Sequence, residues 1–203
     1  MITFDEWVSK YLGKATDWDS VPEKDPVQCV DLAKIFCEEC LGVKTKGKGV
    51  SAWGNARDWY ESMPTKLKDV CFKIANTGTF VPMQGDICVW TMNNQYGHIA
   101  ICANNNSTVS RLYTYDQNFN GKAMKLVCHN YKTFLGVLRP FRTVRKDVNI
   151  RKDKNTSSAI VGEYKKGTKV KVLDISTDGK WLKTDKGWCN NNNDNFFKKI
   201  GEK

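Results

Sequence analysis

The chain has 203 residues, 40% of them hydrophobic, which allows one or two globular domains of ordinary size. It contains no apolar run of the ~18 residues that a membrane-spanning helix requires, and its start lacks the basic and apolar regions of a secretory signal. Residues 1–140 carry 16 Lys and Arg against 14 Asp and Glu, whereas residues 141–203 carry 16 against 8. We therefore expect a protein that is made and kept in the cytoplasm and whose basic C-terminal part meets a polyanionic partner, although solvated lysines alone would also explain the charge.

Capping signals predict the first two helices. Thr3 and Glu6 have the spacing of a capping box, which predicts a short helix. A second helix is predicted over residues 26–41, with Gln28 placed to complete another capping box. The signals at its ends are an N-cap, a proline at the first helical position and a glycine stop, namely Asp25, Pro26 and Gly42.

Cys29 falls in the first turn of this second helix. The unpaired N–H groups and the positive end of the helix dipole favour an anion there, and the thiolate is the nucleophilic form of cysteine. Cys29 also shares helical spacing with Leu32 and Phe36, so it is expected to face inward. A buried structural cysteine is the alternative interpretation.

Three carboxylates lie close to the start of the same helix. Asp17, Asp19 and Asp31 are hard oxygen donors of the kind that Ca²⁺ prefers. The segment has no EF-hand loop pattern, and a turn with Asx capping is the alternative.

The eight cysteines are expected to be reduced, since no secretory signal is recognised. Cys37 and Cys40, together with Cys128 and His129, have some of the residue types of a zinc site. The Cys-x-x-Cys pair falls inside a predicted helix and has no second such pair, which favours packed core thiols over zinc.

Helices are predicted first along the chain and strands afterwards, which is the α+β pattern. A third helix is expected over residues 51–63, with Trp53, Ala56 and Tyr60 on one face and Pro64 as the stop. Short β-type runs separated by Gly and Asn turns then predict an antiparallel meander. These runs cover residues 71–74, 86–90, 98–102, 111–115, 123–127 and 134–138.

His98 begins the third of these strands, and the following strand is expected to present Thr114, Asp116 and Asn118 on one face. An acid or amide that orients an imidazole is the third part that a Cys-His pair requires. The alternatives are a core histidine and an ordinary turn. The other histidine, His129, is expected at a strand end.

The C-terminal part predicts a small all-β barrel over residues 147–203, after a linker at 141–146. Its short alternating runs with Gly turns cover residues 148–151, 160–173, 181–183 and 186–189, with a final strand at 196–197. Trp181 and Trp188 are the aromatic residues that stand out for binding.

Four motifs in order resemble the CHAP domain over residues 1 to about 140, and the C-terminal part looks like a bacterial SH3-type (SH3b) domain. The four motifs are Gln28-Cys29-Val30-Asp31-Leu32, Gly85-Asp86-Ile87, Gly97-His98-Ile99-Ala100 and Asp116-Gln117-Asn118. The SH3b motifs are Val148-Asn149-Ile150-Arg151, Lys166-Gly167-Thr168-Lys169-Val170 and Gly187-Trp188. The pair resembles a phage or prophage endolysin.

The resemblance implies a papain-like fold in which Cys29 is the nucleophile and His98 the general base and later acid. Asp116 takes a position that is usually Glu in the family, and Asn118 follows at the family's spacing, so either could orient the imidazole. The N–H groups at the helix start, at Gln28 and Cys29, would stabilise the oxyanion. Some relatives bind Ca²⁺ through carboxylates resembling Asp17, Asp19 and Asp31, although Ser20 stands where a Gly is usual and the following spacer is longer. Trp181 and Trp188 would contact the wall.

The function implied is hydrolysis of an amide bond in bacterial peptidoglycan, as an N-acetylmuramoyl-L-alanine amidase or an endopeptidase. No cofactor is required, and the one metal that the resemblance suggests is a structural Ca²⁺. The expected partner is peptidoglycan or an anionic wall polymer rather than nucleic acid, the protein is expected to be a monomer, and it would act at the wall after release from the host cytoplasm. The alternatives are a cysteine protease of protein substrates, a non-catalytic basic binding module and a host autolysin.

Overall fold

The computed structural model describes residues 1–18, 27–45, 53–103, 106–192 and 195–203. The chain divides into two compact units, residues 1–140 and 141–202. The first combines helices with an antiparallel sheet and the second is built of short strands, which confirms the predicted α+β class with a small all-β part. Of the helices described, none has the length and apolar character needed to cross a membrane.

The described residues of the first unit form four helices, which are α1 (Phe4–Tyr11), α2 (Cys29–Glu39), α3 (Ala56–Glu61) and α4 (Thr65–Lys68). The capping box of α1 is confirmed, since Glu6 accepts from the Thr3 N–H at 2.7 Å and Thr3 Oγ1 accepts from the Glu6 N–H at 3.3 Å. Satisfying these end groups stabilises a helix that is only two turns long.

The predicted start of α2 is wrong. Gln28 is the N-cap, with an extended backbone (φ −109°, ψ 158°), so Cys29 rather than Pro26 is the first helical residue. Asp31 determines this start, because its carboxylate accepts from the Gln28 N–H at 2.8 Å and lies three residues after the cap. Asp25 and Pro26, the predicted cap and first residue, lie outside the described residues.

The third helix is shorter than predicted, and a further short helix, α4, follows Pro64 where no element was predicted. Trp53 lies before α3 and packs edge-on against Trp59, with 4.8 Å between ring centroids. Trp53 and Ala56 of the predicted face are buried, but Trp59 is fully buried where Tyr60 was expected and Tyr60 is only half-buried.

In the part of the first unit that the structure describes, the sheet has six strands: β1 (Cys71–Ala75), β2 (Ile87–Trp90), β3 (His98–Cys102), β4 (Leu112–Asp116), β5 (Lys125–His129) and β6 (Phe134–Pro140). Their order is β1-β6-β2-β3-β4-β5, so only β2 to β5 form the predicted meander. β6 returns between β1 and β2. Gly136 allows this close pairing, because at its φ of +144° a Cβ would lie 2.2 Å from the Ile74 carbonyl oxygen.

A buried ion pair holds β6 in place. Arg139 Nε donates to Asp86 Oδ1 at 2.9 Å and its terminal nitrogen donates to Oδ2 at 2.7 Å, with the two side chains 4% and 1% exposed. Asp86 also accepts from the Met83 N–H at 2.8 Å. The Gly85-Asp86 motif therefore has a structural role beside β2.

The strand that carries His98 is central and rigid. All five residues of β3 are buried, and α2 packs against this strand.

The second unit contains β7 (Arg142–Thr143), β8 (Val148–Arg151), β9 (Ile160–Tyr164), β10 (Lys169–Val170), β11 (Val172–Ile175), β12 (Trp181–Thr184) and β13 (Trp188–Asn190). The sheet order is β11-β12-β13-β8-β9, and β10 pairs with β7. Residues 141–146, predicted to be a linker, contain β7 and belong to this unit. The expected last strand is reduced to a single bridge between Val144 and Phe197.

Candidate active site

Asp116 is the centre of the site. It is the last residue of β4 and is completely buried. Its Oδ2 lies 2.6 Å from His98 Nε2 and 2.9 Å from His129 Nε2, while the Thr114 hydroxyl donates to Oδ1. Burial alone would raise the pKa of Asp116, but the hydrogen bonds from His129 and His98 outweigh it and lower the pKa to about 2. The carboxylate is therefore ionised and fixed by three neighbours.

His98 links this carboxylate to Cys29. Because its Nε2 bonds to Asp116, Nδ1 is the ring nitrogen available to the thiol. Burial would lower the pKa of His98, but hydrogen bonds to Asp116 and Cys29 raise it to about 9. Cys29 is half-buried at the first position of α2, within hydrogen-bonding reach of this imidazole. Three side chains far apart in the sequence thus meet in the order thiol, imidazole, carboxylate.

Asn118 does not lie on the strand face where it was predicted. β4 ends at Asp116, and Asn118 adopts a left-handed backbone conformation with φ of +57°, which asparagine tolerates better than most residues. Its Nδ2 donates to Gln28 Oε1 at 3.3 Å. Of the two candidates for orienting the imidazole, Asp116 makes the contact and Asn118 contacts the residue that precedes the cysteine.

Gln117, which the sequence did not single out, connects three backbone segments. Its Nε2 donates to the Thr16 carbonyl at 2.7 Å and the Gln28 carbonyl at 2.8 Å, and its Oε1 accepts from the Thr16 N–H at 2.9 Å. The side chain is fully buried. Gln117 thereby fixes the backbone directly before Cys29. Glutamine in a turn carries no signal in a single sequence, so this contact could be found only in the structure.

His129 is the second residue that the sequence interpretation missed. It ends β5 as predicted, and in the antiparallel register it lies opposite Leu112 on β4. Its ring lies 4.7 Å from that of Trp90 and 4.6 Å from that of Phe119. The alternation of side chains along β4 and β5 was the only sequence signal for this contact. The contact of His129 with Asp116 also depends on how β4 and β5 pair, and the alternation does not determine the pairing register across the long loop between them.

The other predicted site residues are dispersed. Asp31 is buried and caps α2, Asp17 lies in an irregular segment, and Asp19 lies outside the described residues, so the calcium site stays a prediction. In the second unit, Trp181 is 7% exposed and lines a groove of about 500 Å³. Trp188 is half-buried on β13, with Lys154 and Lys183 within 5.5 Å of its ring centre.

The fold and the site define an α+β protein with a candidate thiol–imidazole–carboxylate site and a separate all-β unit. Comparison with family models matches residues 18–118 to the CHAP domain and residues 146–193 to the bacterial SH3 domain. The chain therefore belongs to the CHAP-domain proteins that carry a bacterial SH3 domain. This confirms the family resemblance inferred from the motifs.

Solved structures similar to this chain include LysIME-EF1 and Ly7917, the first of which is described as an endolysin. The endolysin LysIME-EF1 is 24% identical to this chain, with a TM-score of 0.54. The match covers 69% of this chain and 65% of LysIME-EF1, so this chain spans less than two thirds of the length of LysIME-EF1. Ly7917 is 19% identical with a TM-score of 0.45, covering 99% of this chain and 96% of that one. The likeness to LysIME-EF1 shows a shared fold. A comparison with curated proteins found no match.

Proposed function

We propose that the chain is an endolysin-type peptidoglycan hydrolase that cleaves an amide bond by thiol chemistry. The observation that carries the proposal is the contact chain from Cys29 through His98 to the ionised Asp116. The family match and the description of LysIME-EF1 as an endolysin support the substrate class. The activity would be exerted at the bacterial wall.

In the proposed reaction, the Cys29 thiolate attacks the amide carbonyl and His98 protonates the leaving amine as the C–N bond breaks. Water then attacks the thioester, with His98 taking its proton, and the acid product leaves as the thiol is restored. The pKa of His98, at about 9, supports this sequence because it keeps the imidazole protonated and able to act as the acid at neutral pH. Asp116 holds the ring and stabilises its positive charge.

The oxyanion would be stabilised at the start of α2. The backbone N–H of Cys29 belongs to the first turn, where N–H groups have no partner within the helix. The Gln28 side chain is held nearby, since its Oε1 accepts from Asn118 and its backbone carbonyl accepts from Gln117. Loss of one such donor typically lowers the rate by ~10²–10³.

The second unit would attach the enzyme to the wall through the groove that Trp181 lines. Its other walls carry cations, amides and an aromatic ring, including Lys146, Arg151, Asn149, Asn190 and Phe196. The two carboxylates that also line it, Asp147 and Glu163, are both paired with Lys165. This mixture fits a wall polymer with both peptide and anionic groups. We place the binding surface here rather than on Trp188, which is not part of the groove lining.

Replacing the thiol tests the enzyme assignment. We expect Cys29→Ala and Cys29→Ser to abolish the clearing of purified peptidoglycan suspensions while the melting temperature stays near that of the wild type. Cys128→Ser is the matched control, because Cys128 is an exposed cysteine on β5 and is expected to leave lysis unchanged. Full lysis by Cys29→Ala would end the thiol mechanism.

The bond that is cut can be read from the products. Mass spectrometry of the released muropeptides separates an amidase, which frees the N-terminus of L-alanine, from an endopeptidase, which frees an N-terminus within the stem or cross-bridge. Cleavage of casein but not of peptidoglycan would instead indicate a protease of protein substrates. A salt-sensitive gel shift with nucleic acid, without binding to wall, would indicate a basic binding module.

A further inference from the structure

The two histidines of the chain and the carboxylate between them form a set of ligand atoms for a transition metal ion. The sequence has only two histidines, and both direct Nε2 at the same oxygen of Asp116. The three ligand atoms lie within 4.8 Å of one another. Imidazole nitrogen and carboxylate oxygen are the ligands that Zn²⁺ takes when a water completes its tetrahedron.

We propose that His98, Asp116 and His129 form an inhibitory binding site for Zn²⁺ or a similar divalent transition metal. This site is distinct from the calcium site expected near Asp17, whose ligands would all be oxygen atoms. Two nitrogen donors favour a first-row transition metal over Ca²⁺, which prefers six to eight oxygens.

The observed distances suit such an ion after a small adjustment. Metal–ligand distances of ~2.0–2.1 Å place tetrahedral ligands about 3.3 Å apart. The two Nε2-to-Oδ2 distances are 2.6 and 2.9 Å, so each imidazole would move away from the carboxylate by several tenths of an ångström. The Thr114 hydroxyl, which donates to the other carboxylate oxygen, would keep Asp116 oriented, as hydrogen-bond donors to a ligating carboxylate do in known metal sites.

An entry path reaches the site from the His129 side. A groove of about 380 Å³ is lined by His129 together with Trp90, Phe119 and Cys128. The side chains of His98 and His129 are 6% and 7% exposed, so the site is shielded but borders this groove. The groove provides room for the water that would occupy the fourth position.

Metal binding would block the thiol chemistry through the tautomer of His98. The ion takes the Nε2 lone pair of each imidazole, so each ring carries its proton on Nδ1. The proton that Nε2 of His98 shares with Asp116 is released to solvent as the ion binds. With the ion on Nε2 and a proton on Nδ1, the ring has no lone pair to take the proton of the attacking water. Loss of the Nδ1 proton would leave an imidazolate, so the ring is also a poor acid for the leaving amine. The metal also neutralises the Asp116 charge that stabilises the imidazolium.

Binding is measured first in a protein without the reactive thiol. Metal-free, full-length Cys29→Ala is titrated with Zn²⁺ by calorimetry, and with Co²⁺ as a spectroscopic probe. We expect one ion per chain and tetrahedral Co²⁺ absorption without a thiolate charge-transfer band. Absence of stoichiometric binding, or appearance of that band, would overturn the proposal. This measurement does not depend on lytic activity, so it stays valid if the proposed function fails.

Ligand variants in the same background locate the ion. We expect His129→Gln, which retains an amide donor for Asp116, to weaken Zn²⁺ binding by at least about 10- to 100-fold, since loss of a side chain that only hydrogen-bonds to a metal ligand commonly costs that much. Cys128→Ser, at the neighbouring position in the same groove, should bind Zn²⁺ as tightly as its parent. Unchanged affinity in His129→Gln would refute the assignment. If that variant does not fold, His98→Gln tests the same site from its other side.

The inhibitory effect rests on the proposed hydrolase function and is tested separately. Zn²⁺ should stop clearing of peptidoglycan by the wild type, and a chelator should restore it. Each variant is compared with its own metal-free rate, and His129→Gln should need at least about tenfold more Zn²⁺ for the same fractional inhibition. Equal sensitivity of His129→Gln and the wild type would place the inhibiting ion elsewhere, for example on Cys29 and His98.

Discussion

The two units of the chain differ in where their ion pairs lie. The first has surface pairs such as Lys10 with Glu39, but it also buries Asp86 against Arg139 and Asp116 between two histidines, and residues 1–140 carry a net charge of only +2. In the second, Lys165 bonds to Asp147 and Glu163 at the surface, and residues 141–203 carry +8. Buried charges are held in one arrangement because an unpaired buried charge is costly. The excess of exposed positive charge in the second unit is of the kind that attracts a polyanion.

The largest expected effect concerns the buried ion pair. Asp86→Ala leaves the Arg139 guanidinium buried without its partner, which should reduce the free energy of unfolding by about 3–5 kcal/mol. Asp147→Asn, which breaks an exposed pair of the second unit, should leave the denaturation midpoint nearly unchanged. Urea unfolding of both variants measures the contrast. Equal destabilisation of the two would show that burial does not distinguish the units.

The second prediction concerns the pH dependence of catalysis. Since the pKa of His98 is raised to about 9, kcat/KM should fall as the pH rises through that value and the general acid loses its proton. Asp116→Asn removes the charge that raises this pKa, so the alkaline limb should move towards the ordinary imidazole value of about 6.5. The profile is recorded with a soluble muropeptide.

Stability gives an independent measurement of the same titration. Because folding raises the pKa of His98, its interactions stabilise the folded state fully below about pH 6.5, and this stabilisation is lost as the pH rises through about 9. The wild type should therefore lose more of its unfolding free energy over this range than Asp116→Asn does. An alkaline limb that stays near pH 9 in Asp116→Asn would show that Asp116 does not control the imidazole.

The third prediction tests whether the hydrogen bonds of Gln117 position the backbone before Cys29. Gln117→Leu retains the volume of the side chain but leaves the Thr16 and Gln28 backbone groups without its hydrogen bonds. We expect kcat to fall by up to about 10²-fold with little change in KM, because small misplacements of a reacting group have effects of that size. Gln84→Leu, which loses one bond to the Ala103 carbonyl, is the matched control and should retain the wild-type kcat.

The smallest expected effect lies in the second unit. Phe196→Ala removes one aromatic wall of the groove and the contact that Lys146 makes with this ring at 4.6 Å. Binding to purified wall in a sedimentation assay should weaken several-fold, with no change in turnover of a soluble muropeptide. Leu173→Ala is the control, since Leu173 is 40% exposed and is not part of the groove lining. Equal loss in both variants would remove the groove as the binding surface.

The sequence by itself was sufficient for the fold class and for the first candidates of the site. Capping residues act within one helical turn, so the box at Thr3 and Glu6 could be read directly. The β-type runs of the first unit each contain one of the six strands of its sheet or overlap it by most of its length. The order of Cys29, His98 and Asp116 was recognisable because a family motif surrounds each of them.

Only the tertiary structure decided which polar groups meet at the site. In the structure α2 starts at Cys29, later than predicted, because Asp31 caps it there. Strand β6 lies between β1 and β2 rather than at the end of the predicted meander. His129 and Gln117 reach the site through strand register and through a turn, and both depend on contacts between residues distant in the chain. Local patterns determine which elements form, whereas the pairing of those elements determines which side chains share one carboxylate.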